Sequence, residues 1–60
     1  MDPGIVEKEL KDKNVQLTFT NDFVLHGRIL SVDSNGVVFK TDQRTSYVAF
    51  SRIASIVPED

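Results

Sequence analysis

The spacing of hydrophobic positions changes at Val15. Before it, Ile5, Val6 and Leu10 make a narrow apolar stripe among charged residues; after it, Val15, Leu17 and Phe19 alternate with Gln16, Thr18 and Thr20. The first spacing predicts a helix over about residues 3–12, and the second predicts a strand buried on one face. Asp2 suits the N-cap and Pro3 the first helical position, while Glu7 and Glu9 precede Lys11 and Lys13 in the sense the helix dipole favours. So narrow a stripe cannot fold alone, which makes the helix a cap over one end of a sheet, with Lys8, Lys11 and Lys13 on its solvated side.

The longest apolar run, Phe23 to Val32, is the centre of the pattern. It exceeds an ordinary strand and carries Gly27 at its middle, where a missing side chain marks a bend, a bulge or a close backbone approach. We expect one strand bent near Gly27. Phe23, Leu25, Gly27 and Ile29 share one face, Val24, His26 and Arg28 the other, with a frame shift beyond Gly27 where Leu30 and Val32 are also apolar. Asn21-Asp22 supplies the turn before it and Asp33-Ser34-Asn35-Gly36 the turn after it, with Asn-Gly as the core of the second. Val37 to Thr41, Thr45 to Phe50 and Ile53 to Val57 complete five strands, broken at Asp42-Gln43-Arg44 and Ser51-Arg52 and stopped by Pro58. One terminal helix and five sequential antiparallel strands over about residues 14–58 predict a mainly β, strongly bent five-stranded SH3-like barrel. An OB-like barrel is the second solution, but it normally carries its helix between strands three and four.

Sixty residues make a single domain, 1–60, and a chain of this size buries only about 60% of its unfolded surface. With no cysteine there is no disulfide to stabilise it, and one histidine among scattered carboxylates argues against a metal. What remains is either very good packing or self-association, the latter a common answer for a small chain with exposed strand edges. Seven basic against nine acidic residues, a formal charge of −2, lack the footprint of a duplex-DNA binder but leave room for a local single-stranded RNA site. No stretch has the length of a membrane span and the amino terminus has no apolar leader; with the absence of cysteine, this predicts a cytoplasmic protein. No nucleophile–base pair, paired carboxylates or phosphate-cradling glycine loop is evident, so neither an enzyme nor a cofactor is expected.

Asp2-Pro3, Val15-Leu17-Phe19, Asn21, Leu25-His26-Gly27-Arg28-Ile29, Ser31-Val32-Asp33, Val37-Val38-Phe39-Lys40 and Ile53 through Pro58 occur in an order and spacing that resembles the Sm/LSm family, most closely its bacterial Hfq branch. The resemblance covers nearly the whole chain. It implies an Sm-like fold whose fourth-strand edge pairs with the fifth-strand edge of the next copy, closing a ring of about five to seven copies. Tyr47, Val48, Phe50, Ile53 and Ile56 are the implied subunit-interface residues. It further implies single-stranded RNA binding at Ser34 and Asn35 in one loop and Ser51 and Arg52 in another, with a second RNA surface at Thr18, Phe23 and His26. The chain departs from the Hfq pattern at these sites. That branch has an aromatic where Asn35 and Thr18 stand, a Lys-His pair where Phe50-Ser51 stand, and arginines where Glu9 and Leu10 stand. The expected function is an RNA-binding homo-oligomeric ring; the alternative is a protein-interaction or assembly module of the same fold.

Overall fold

A computed structural model describes residues 1–59 as a mainly β chain, a five-stranded antiparallel open sheet preceded by one helix. The helix α1 spans Pro3–Leu10 and the strands are β1 (Asn14–Phe19), β2 (Val24–Val32), β3 (Gly36–Lys40), β4 (Thr45–Ala49) and β5 (Ile53–Pro58). A 3-10 turn, Phe50–Arg52, joins β4 to β5. The sheet order is β4-β3-β2-β1-β5, which leaves β4 and β5 as its two edges. No helix among the described residues is long and apolar enough to cross a membrane.

Asp2 caps α1 by accepting a 2.9 Å hydrogen bond from the Gly4 amide. The helix stops two residues before the expected end. Lys11 is already extended and bridges Ile29, and Asp12 takes a left-handed φ of 64° while its amide donates to Ile29 O at 2.8 Å. Only Val6 of the helix is buried, so one apolar contact row lays it on the sheet. The core is Val6, Val15, Leu17, Ile29, Val37, Phe39, Val48 and Ile53, with Leu10, Phe19, Val32, Phe50 and Ile56 packed around it.

The frame shift expected in β2 beyond Gly27 is present, as a bulge at Leu30 rather than at the glycine itself. The β2–β3 register slips between Ile29 and Ser31, so Leu30 is the extra residue of a bulge. Gly27 meets instead a close approach of backbone: a Cβ built there would lie 2.2 Å from the Lys40 carbonyl oxygen and 3.0 Å from the Phe39 ring. Asn-Gly is likewise not the centre of the second hairpin. The Asp33 amide donates to Gly36 O at 3.0 Å, which places Ser34 and Asn35 at the tip, and neither Asn35 nor Gly36 has a positive φ. Gly36 is required for space, because its Cβ would fall 2.3 Å from Val48 O and 2.9 Å from the Tyr47 ring. In the first hairpin the left-handed residue is Asp22, with φ 70°.

Leu25 faces inward by its register with Leu17 yet is 40% exposed. It lies where the sheet opens toward the Thr41–Arg44 turn, against a cavity of about 400 Å³ shared with Gln43, Arg44 and Ser46. Pro58 ends β5 opposite Val15, a position an edge strand tolerates.

Candidate functional site

Asp33 organises the loop that carries Ser34 and Asn35. Its Oδ1 accepts from the Asn35 amide at 2.7 Å, the Gly36 amide at 2.8 Å and the Tyr47 hydroxyl at 2.9 Å. One carboxylate thus shapes the β2–β3 turn and ties it to β4. The Asn35 amide, then the Tyr47 hydroxyl, hold the Asp33 carboxyl below the ordinary carboxylate range, against a partial loss of water. Loss of water first, then the hydrogen bond and charge of Asp33, raise the Tyr47 phenol above its ordinary value.

The 3-10 turn is held from both sides. The Phe50 amide donates to Asn35 O at 2.8 Å, and the Thr20 amide donates to Arg52 O at 2.9 Å. Ser34, Asn35, Ser51 and Arg52 are therefore on two loops joined directly by backbone, and all four are exposed. No ion pair reaches Arg52 among the described residues, and Asp33 takes Tyr47 as its side-chain partner. Arg52 also lines a cavity of about 350 Å³ between the end of β1 and β4, with Phe19, Ser46, Tyr47, Val48 and Ala49. A free guanidinium beside two exposed hydroxyls and an amide can contact a phosphate and hydrogen-bond a base edge.

Thr18 and His26 share the outer face of the sheet. Thr18 is the register partner of Val24 on β2 and Ser55 on β5; in the adjacent row Gln16 lies between His26 and Val57. His26 Nδ1 sits 3.0 and 3.2 Å from the two carboxylate oxygens of Glu59, an ion pair that spans β1. Phe23 precedes β2, 71% exposed, in the turn where its amide donates to Asn21 Oδ1 at 3.2 Å. With Phe19, Val24 and Leu25 it lines an apolar cleft of about 200 Å³. An exposed ring of this kind offers a stacking surface that the Asn35 loop lacks.

The five interface candidates divide by burial. Val48 and Ile53 belong to the core at 7% exposure, Phe50 and Ile56 pack partly against it, and only Tyr47 leaves half of its side chain free. Lateral contacts at these edges would therefore rest on backbone groups and Tyr47 more than on the aliphatic side chains. Two features were not legible in the sequence: Asp33 as the knot of the loop cluster, and Arg28 and Lys40 as an outer-face pair. The first was signalled by an Asp two and three residues before the amides it accepts from, and the second by polar positions alternating with core residues. Among the described residues no group of three or more His, Cys, Asp or Glu side chains could hold a metal ion. No known family model matches the chain, and no curated protein matches its sequence.

Proposed function

We propose that the chain is an Sm-like protein of the SH3-like barrel kind that assembles into a closed homo-oligomeric ring and binds single-stranded RNA through the loops at Ser34, Asn35, Ser51 and Arg52. The observation that carries this reading is the pair of open edges: β4 and β5 lie at opposite ends of the sheet order, joined by three residues. A head-to-tail contact between such edges removes both at once if its rotation closes. The β2 bulge supports this reading, since a bulge bends and twists a strand as a small barrel requires. Repetition around a ring multiplies weak loop sites, which offsets the missing aromatic at Asn35. The activity is binding rather than catalysis, in a cytoplasmic setting that the lack of cysteine fits.

The test is the solution mass of nuclease-treated protein by light scattering, followed by titration with short uracil-rich and adenine-rich RNA at low salt. A mass of about five to seven copies with RNA binding is expected. A monomer that binds neither RNA sinks the reading. The Phe19, Phe23, Val24 and Leu25 cleft favours a second reading, a module that binds an apolar peptide segment, which a nuclease-insensitive stoichiometric protein partner would support.

A further inference from the structure

Asn14, Arg28 and Lys40 form a row across three adjacent strands, because Arg28 is the register partner of Asn14 on β1 and of Lys40 on β3. Like charges directly opposed on neighbouring strands repel, and sheets ordinarily place an opposite charge there. Here no ion pair reaches either cation among the described residues. The carboxylate next along the row is that of Glu59, whose amide donates to Asn14 O at 2.9 Å, and both of its oxygens are taken by His26. Beside the pair is an open depression of about 290 Å³ with Asn14, Arg28, Lys40, Thr41 and Asp42 in its lining. Among the described residues its lining holds two cations against one carboxylate, that of Asp42, and this net positive charge attracts an anion.

We propose that Arg28 and Lys40 form a binding site for a phosphate group, separate from the loop cluster of Asn35 and Arg52. The guanidinium supplies a planar pair of donors and the ammonium a point charge, the combination that holds tetrahedral oxyanions. The phosphate is either free or a phosphodiester of single-stranded RNA crossing the outer face. The site does not depend on ring closure, since all of its groups belong to one chain.

The experiment compares the wild-type chain with Lys40→Gln and Lys40→Glu, in sodium phosphate and in sodium chloride of equal ionic strength. In chloride, Lys40→Glu turns the repulsive pair into an attractive one and its thermal midpoint rises above wild type. In phosphate, the midpoint of wild type rises, while both variants gain less. Amide shifts at Asn14, Arg28 and Lys40 saturate with phosphate in wild type and are lost in the variants; Asp42→Asn tightens the binding about fivefold. A uracil hexanucleotide is titrated in parallel. Shifts of the same amides with it assign the phosphodiester source, and shifts with phosphate alone assign a free phosphate compound. Equal gains from phosphate in all three proteins would be general salting-out and would overturn the site, as would unmoved amides at 14, 28 and 40 in both titrations.

Discussion

The Tyr47 hydroxyl donates a 2.9 Å hydrogen bond to Asp33 Oδ1, linking a side chain of edge strand β4 to the turn that carries Ser34 and Asn35. The same ring lies against Gly36, where any Cβ would come within 2.9 Å of it. Tyr47 therefore couples the edge to the loop through one hydrogen bond and one packing contact. An event that moves this strand edge also moves the tip of the β2–β3 turn.

The pH dependence of stability follows from that pair. Asp33 titrates lower when folded, so its contribution is complete above the unfolded carboxylate pKa of about 3.9 and is lost as pH falls through the folded value. Tyr47 titrates higher when folded, so its contribution is complete below a pKa of about 10 and is lost as pH rises through the folded value. Thermal midpoints measured from strongly acidic to strongly alkaline pH should fall at both ends. Tyr47→Phe should abolish the tyrosine part of the alkaline fall and make the acid fall shallower; an unchanged acid limb would mean that the hydrogen bond does not form in solution.

Gly27→Ala should destabilise the fold by about 3 kcal/mol, the upper range for overpacking, because its Cβ would meet a backbone carbonyl that cannot rotate away. Urea unfolding reads this directly. A cost below about 1 kcal/mol would show that the end of β3 can move aside.

Phe39 and Leu17 are fully buried, and in so small a core their loss leaves a cavity that few neighbours can fill. Phe39→Ala should cost about 3–5 kcal/mol, enough to unfold most of the chain at room temperature. Circular dichroism against temperature checks it.

His26 and Glu59 behave oppositely. Their side chains are 61% and 38% exposed, so Glu59→Gln should change stability by no more than about 0.5 kcal/mol despite the 3.0 Å contact. A loss several times larger, measured in the same urea titration, would show that the pair fastens β5 across β1.

Arg52→Ala should weaken binding of uracil-rich RNA without changing solution mass, and the slope of log affinity on log salt should fall by about 1. Phe23→Ser, which removes the most exposed large apolar side chain among the described residues, should leave stability within about 0.5 kcal/mol. If it abolishes capture of a protein partner while RNA binding persists, the apolar cleft serves a separate purpose.

Alternation at Val15, Leu17 and Phe19 was enough to place β1, because a period of two commits every second side chain to one face and the buried set must be the apolar one. The helix start was equally legible, since Asp2 and Pro3 act within one turn. Its end was not: Lys11 and Asp12 are turned by Ile29, eighteen and seventeen residues away along the chain. Glycine positions announced that something happens at 27 and 36, but periodicity could not tell a bend from a close approach, because the atoms that crowd them come from Lys40 and Val48 on other strands. For the same reason local sequence marked Asn35 and Arg52 as loop residues, while the hydrogen bond from Phe50 to Asn35 that joins their loops, and that from Thr20 to Arg52 that fixes the second loop to the end of β1, exist only once the sheet has formed. Local chemistry determines the elements and their faces; which charges oppose one another, as Arg28 and Lys40 do, is decided by strand register, a property of pairs of strands that neither strand carries alone.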